Sequence, residues 1–181
     1  SSSDTTHFGF EEVSVGDKKH RVRGVFESVA SKYDIMNDFM SGGVHRLWKA
    51  SLIDWVNPQP GESHLDVAGG TGDIAMRIID RVGRDKAGPV TVCDLTPDMM
   101  FVGRDRAIDQ GILKGLSWTC GNAEVLPFPS RSMDSYTIAF GLRNVTHIDK
   151  ALAEARRVLK PSGRFICLEF SQVVLPILDQ I

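Results

Sequence analysis

Apolar positions along this chain fall into two alternating patterns: short continuous runs, and runs spaced three or four apart. The first continuous run, residues 64–68, ends in Gly69-Gly70-Thr71-Gly72, and a helical pattern follows at once over residues 73–82. After a polar loop, the second run, Val90–Asp94, closes on an acid. Thr96 then stands as a helix cap, with Pro97 at the first position and Asp98 in the first turn. That helix is expected to reach about Gln110 and stop at Gly111. Leu116–Cys120 reads as a third strand, and Leu126-Pro127-Phe128-Pro129 as a rigid connector. Residues 135–140 read as a fourth strand and 149–159 as a helix carrying Ala151, Leu152, Ala155, Val158 and Leu159. Lys160-Pro161-Ser162-Gly163 ends the helix, and residues 164–170 form a fifth strand. Strands alternating with helices predict an α/β fold, a mostly parallel sheet with helices on both faces.

The chain before residue 61 reads differently. Residues 1–20 are mostly polar with little periodicity, and the first six are expected to fray. Val25, Phe26, Val29, Ala30 and Tyr33 recur at helical spacing, and Gly42-Gly43 interrupts the pattern. Two helices joined by a hinge follow from this, the second from about Val44 to Val56, before Asn57-Pro58-Gln59-Pro60-Gly61. Residues 1–60 are thus expected to form a helical lid, and 61–181 the sheet-bearing core.

Composition narrows the function classes. The 181 residues suit one domain, and the net charge of −2 gives no field that draws nucleic acid. Cys93, Cys120 and Cys167 sit in strand-like runs, which predicts three reduced core thiols and no metal site. No run has the length of a transmembrane helix, and the first residues lack the apolar core of a signal peptide.

Candidate chemistry gathers at the predicted carboxyl ends of the strands, where open α/β sheets bind ligands. The glycine turn admits a ligand close to the main chain and aims helix N–H groups at it. Asp94 can accept both hydroxyls of a ribose, and Asn122 with the Ala123 backbone can read an adenine edge. Gly70-Thr71-Gly72-Asp73-Ile74-Ala75 also fits the dinucleotide fingerprint, so a nicotinamide dehydrogenase is a rival reading. Asp66 before the turn and Asp73 after it would repel a pyrophosphate. Two acids suit a ligand with an ammonium group, such as adenosine bearing a sulfonium and an amino-acid tail.

These residues carry a resemblance. Asp66–Asp73, Asp94 and Asn122-Ala123-Glu124 resemble the cofactor motifs of class I (Rossmann-like) S-adenosylmethionine-dependent methyltransferases. Tyr33-Asp34-Ile35-Met36-Asn37-Asp38, Gly141-Leu142-Arg143-Asn144-Val145-Thr146 and the stretch from Arg157 to Phe165 are similar to the UbiE type, which methylates a ring carbon in ubiquinone and menaquinone synthesis. The resemblance implies S-adenosyl-L-methionine as cofactor, held by Asp66, Gly69, Gly70, Thr71, Gly72, Asp94, Leu95, Asn122, Ala123 and Ala139. It implies methyl transfer to a 2-methoxy-6-polyprenyl-1,4-benzoquinol, and to demethylmenaquinol, with no metal. Arg143 and Asn144 would then face the methyl position, Arg143 stabilising a developing phenolate, with His45 relaying a proton. Tyr33, Met36, Met40 and Trp48 would line the ring and tail pocket. Ala139 stands where some members have serine, and Ser162 replaces a usual glycine.

The implied partners are a polyprenyl quinol, a membrane face, and a homo-oligomer or quinone-biosynthesis complex, and no nucleic acid. The implied place is the cytoplasm or the inner-membrane surface, on the matrix side in a eukaryote. Rival readings are a methyltransferase on another small or lipophilic acceptor and a non-catalytic cofactor-binding scaffold. The class normally adds two strands after the fifth, so the bare apolar strand 165–170 predicts a longer polypeptide or a covering second chain. Val173-Val174-Leu175-Pro176-Ile177 reads as the approach to another helix.

Overall fold

The computed structural model describes residues 5–8, 11–14 and 44–169. The predicted helix around Val25–Tyr33, the Gly42-Gly43 hinge, Met36, Met40, Phe170 and the final apolar stretch lie outside those residues.

The first described elements are strands. β1 (Thr5–Phe8) pairs antiparallel with β2 (Glu11–Ser14), Thr5 opposite Ser14 and Phe8 opposite Glu11. This corrects the expectation of a featureless start. Threonine, phenylalanine and valine favour extended backbone, and Gly9-Phe10 gives a connection of tight-hairpin length. Four-residue strands with so few apolar positions leave no periodicity to read.

Helix α1 (Val44–Val56) comes next and ends where Asn57-Pro58 begins. The sheet is then built from β3 (His64–Val67), β4 (Val90–Asp94), β5 (Leu116–Cys120), β6 (Met133–Ala139) and β7 (Leu159–Leu168). Its order is β5-β4-β3-β6-β7, and every pairing is parallel. The chain starts in the middle at β3, moves outward to β5, then crosses back to β6. The strand order therefore reverses beside β3, at the crevice where ligands of open α/β sheets bind.

Helices α2 (Asp73–Val82), α3 (Pro97–Asp109) and α4 (Ile148–Val158) cover the faces. On one face Leu52, Ile53 and Val56 of α1 meet Ile74, Ile78 and Ile79 of α2 and Val90 and Val92 of β4. On the other, Ala151, Ala155 and Val158 of α4 close over Leu65, Val67, Tyr136 and Ile138. Burying each large aliphatic side chain stabilises the fold by roughly 1.5–3 kcal/mol. Alternation along β3 sends Leu65 and Val67 to the α4 side and leaves His64 and Asp66, both buried, on the other.

Two further details depart from the sequence reading. Strand β7 begins at Leu159, but its register jumps from Leu159 opposite Met133 to Arg164 opposite Ser135. Lys160-Pro161-Ser162-Gly163 is thus an irregularity inside an assigned strand, and regular pairing starts at the expected Arg164. Of the three thiols only Cys93 is core; Cys167 is half-buried and Cys120 is exposed, all three free. Cys120 loses its cover because β5 is an edge strand.

Candidate functional site

Val67 ends β3, and Ala68 and Gly70 both take left-handed backbone, φ 52° and 53°. Gly69 needs its missing Cβ, since one would lie 2.7 Å from Asp66 Oδ2 and 2.9 Å from Val92. At Gly72, with φ 73°, a Cβ would strike the Trp118 ring at 2.6 Å. Gly103, in the middle of α3, shows why α3 packs where it does: a Cβ there would sit 2.5 Å from the Thr71 carbonyl oxygen and the same Trp118 ring. Trp118 and the bare flank of α3 thus support the turn from below, a role the sequence reading did not give them.

Asp94 closes β4 beside this turn. Its Oδ2 accepts the Gly70 N–H at 2.8 Å and its Oδ1 accepts the Thr96 N–H at 2.8 Å. A carboxylate has about four acceptor positions, so each oxygen keeps one for a ligand. The two amides fix the carboxylate plane, which is what a bidentate contact requires.

The two acids flanking the turn behave differently from the sequence reading. Asp66 is fully buried; Oδ1 accepts the Thr137 hydroxyl at 2.8 Å, and Oδ2 has no hydrogen bond of normal geometry. Burial pushes its carboxyl up to about 7, opposed by Thr137 and the Ala75 amide and reinforced by the charges of Asp73 and Asp94. Asp73 is an ion pair: Lys49 Nζ lies 2.9 Å away and Arg77 Nε 3.0 Å away. Burial alone would raise its carboxyl, but Lys49 and then Arg77 outweigh that and hold it below the usual range. The repulsion assigned to these acids is corrected accordingly: Asp73 is neutralised by partners and Asp66 is poised near neutrality.

Asn122 is partly committed as well. Its Oδ1 accepts the Glu124 N–H at 2.9 Å, a local turn, which leaves the side-chain NH2 as its reading group. The next connector is pinned rather than merely stiff. Arg157 donates to the Leu126 and Phe128 carbonyls at 3.0 and 2.7 Å, and Glu154 accepts the Leu126 N–H at 2.7 Å.

A pocket of about 580 Å³ opens among these loops at the carboxyl ends of the strands. Of the residues read from the sequence, Gly70, Asp94, Leu95, Asn122, Ala123 and Asn144 line it. Asp66 within β3, Gly69, Thr71 and Gly72 in the turn, and Ala139 at the end of β6 are not among its lining residues. Met99 and Phe140 also line it without having been given a role, and Glu124, Val145 and Thr146 line it as members of the motifs quoted above. Met99 follows the Thr96-Pro97 cap by less than one turn, which places it toward the strand ends. Phe140 leaves β6 with φ 57°, a bend that no local residue pattern foreshadows.

After β6 a short 3-10 turn, Leu142–Asn144, carries the two residues expected to act on the substrate. Asn144 reaches the pocket. Arg143 is nearly half exposed, and its Nη1 pairs with Glu169 Oε1 at 2.8 Å while its N–H meets Glu169 Oε2 at 3.2 Å. A partly exposed ion pair with Glu169 therefore holds Arg143. His45 lies in the first turn of α1; its side chain is outside the described residues. Trp48 is exposed on the same helix. Among the described residues no cluster of His, Cys, Asp and Glu is arranged to hold a metal, and no helix is long and apolar enough to cross a membrane.

Comparison with known proteins follows the same lines. The sequence pattern of the ubiE/COQ5 methyltransferase family matches residues 14–181. Over 176 residues the chain is 55% identical to the ubiquinone/menaquinone biosynthesis C-methyltransferase UbiE of Brucella abortus strain S19, covering 96% of this chain and 65% of that protein. The chain thus spans about two thirds of the length of this curated relative. Among solved structures, YcgJ of Bacillus subtilis superposes with a TM-score of 0.63 at 26% identity, over 73% of this chain and 54% of that one. The [4+2]-cyclase SpnF superposes with a TM-score of 0.63 at 27% identity, over 71% and 45%. A cyclase among such neighbours is a reminder that this fold alone does not fix a reaction.

Proposed function

The chain belongs to the ubiE/COQ5 methyltransferase family, and on that premise we propose that it binds S-adenosyl-L-methionine and serves C-methylation of a polyprenyl benzoquinol ring. The observation that carries the reading is Asp94, held flat by the Gly70 and Thr96 amides in the lining of a pocket that Asn122 and Ala123 also line. That donor set fits an adenosine. A carboxylate with one open acceptor position per oxygen takes a ribose diol, and an amide with a backbone N–H takes a base edge. Leu95, 65% exposed, and Met99 offer the apolar cover a flat base needs.

When bound, the cofactor supplies an electrophilic methyl group on a sulfonium. The chain's residues bind and orient around it. Gly69, Gly70, Thr71 and Gly72 allow close main-chain approach for the amino-acid tail, with Asp66 beneath them and Ala139 at the end of β6. An aromatic ring carbon becomes nucleophilic as its neighbouring hydroxyl gains phenolate character. Arg143 and Asn144 would stabilise that charge from the 3-10 turn, Arg143 exchanging Glu169 for the substrate oxygen. His45 would relay the proton lost from the ring. Residues 1–60 act as the lid over the acceptor. A polyprenyl tail resides in the bilayer, so the encounter is expected at a membrane face, with the chain as a homo-oligomer or within a quinone-biosynthesis complex. Leu47 and Trp55, 67% and 73% exposed on α1, support a lipophilic encounter on that side.

Methyl transfer tests the reading. The chain is incubated with isotope-labelled S-adenosylmethionine and a short-tailed reduced quinol, and the products are weighed by mass spectrometry. A labelled methyl on a ring carbon supports the proposal. Cofactor binding with label on another acceptor moves the substrate assignment, and tight NAD binding without response to S-adenosylhomocysteine overturns it.

A further inference from the structure

Two loops form facing walls of the pocket, and they belong to strands on opposite sides of β3. One follows β5 and ends at Glu124; the other follows β6 and runs through Asn144 to Thr146. Glu124 bridges them. Its Oε1 accepts the His147 backbone N–H at 3.0 Å, and its Oε2 meets His147 Nδ1 at 2.8 Å. Glu124 is itself placed by the Asn122 side chain, which accepts its N–H. His147 is the residue that precedes α4, so the second wall is anchored where a core helix starts. The charged groups facing Glu124 are His147 and Lys150.

We propose that Glu124 is a positioning residue, a clasp that holds the two pocket walls at the separation the ligand needs by gripping His147 through both carboxylate oxygens. The identity of that ligand rests on the cofactor reading above. One oxygen on the main chain and one on the ring of the same residue stop the second wall both from sliding and from turning. A neutral imidazole donates Nδ1–H to the carboxylate, and so does an imidazolium, so the clasp survives either protonation state.

An amide in place of the carboxylate separates this role from simple packing. In Glu124→Gln the side-chain carbonyl still accepts the His147 N–H, but its NH2 now faces Nδ1. A neutral ring can change tautomer and present a lone pair there. An imidazolium cannot, because both its nitrogens carry protons. Imidazole is the side chain whose charge ordinarily changes between about pH 5 and 8.

The test uses amide hydrogen exchange over residues 141–147 in the ligand-free chain, together with the Kd for S-adenosylhomocysteine, at pH 5.5 and pH 8. Glu124→Ala is expected to speed exchange and weaken binding about tenfold at both pH values, the size of one good hydrogen bond. Glu124→Gln is expected to match the parent at pH 8 and approach Glu124→Ala at pH 5.5. An alanine variant with unchanged exchange and affinity, or a glutamine variant that tracks alanine at both pH values, overturns the clasp. A parent chain that binds no S-adenosylhomocysteine overturns the cofactor reading instead, and the exchange data still decide the clasp.

Discussion

Replacing Asp66 with asparagine should make this protein more stable at alkaline pH, although it removes a carboxylate from beneath the glycine turn. Asp66 is fully buried, and its carboxyl is raised from 3.8 to about 7. A folded-state value above the unfolded one means that the protonated acid is the form the fold prefers. Its contribution is fully present below about pH 3.8 and is lost as pH rises through 7. Above pH 7 the fold carries a buried charge, at a cost of about three pH units times 1.36 kcal/mol, or roughly 4 kcal/mol. Asparagine keeps the shape and an oxygen for the Thr137 hydroxyl, and it does not ionise. Its NH2 replaces Oδ2, which accepts no hydrogen bond of normal geometry, and the resulting penalty of about 1–3 kcal/mol is constant with pH. The stability difference between variant and parent should therefore shift by about 4 kcal/mol in the variant's favour from pH 4 to pH 8. Urea unfolding of both proteins across that range measures it. Parallel stability curves would refute the reasoning, since they would mean that Asp66 does not change its protonation between these limits.

Three other substitutions test the supports and the chemistry. Gly103→Ala should destabilise the fold by roughly 1–3 kcal/mol in denaturant melts, because its Cβ meets the Thr71 carbonyl and Trp118; propensity alone predicts a gain of nearly 1 kcal/mol. Arg157→Ala should cost about 1.5–3 kcal/mol per lost charge-assisted bond at most and loosen the 126–129 connector, with Arg157→Lys restoring little because one ammonium cannot span both carbonyls and Glu154; thermal melts with hydrogen exchange report both. Arg143→Ala should leave S-adenosylhomocysteine affinity unchanged and lower quinol methylation by roughly 10²–10³-fold; full turnover would reduce Arg143 to its ion pair with Glu169.

What the sequence made legible was whatever local pattern controls. The change from a continuous apolar run to helical spacing at Gly69–Asp73 located the turn, and the acid closing Val90–Asp94 located a carboxylate that lines the pocket, because strand ends and glycine turns are written in adjacent residues. Pairings between distant elements were not legible. Nothing near Asp73 shows that Lys49, on a helix before the sheet, neutralises it. Nothing in Leu126-Pro127-Phe128-Pro129 shows that Arg157 holds it. The exposure of Cys120 followed from β5 being an edge strand, a property of sheet order that no single run encodes. The β1–β2 hairpin failed for the opposite reason, since strands that short offer too few apolar positions to form a period. Lys160–Gly163 shows a mixed case: the Pro-Gly turn was seen, and only pairing with β6 shows the register jump there.

The central claim is that this pocket is built around Asp94 to hold S-adenosylmethionine. Isothermal titration of the parent chain and of Asp94→Ala with S-adenosylhomocysteine tests it most directly, with NAD as the comparison ligand. The account predicts binding of S-adenosylhomocysteine by the parent, a loss of about 1.5–3 kcal/mol in Asp94→Ala for hydrogen bonds to a charged group, and no heat from NAD. Equal affinity in the two proteins, or binding of NAD in place of S-adenosylhomocysteine, would contradict it.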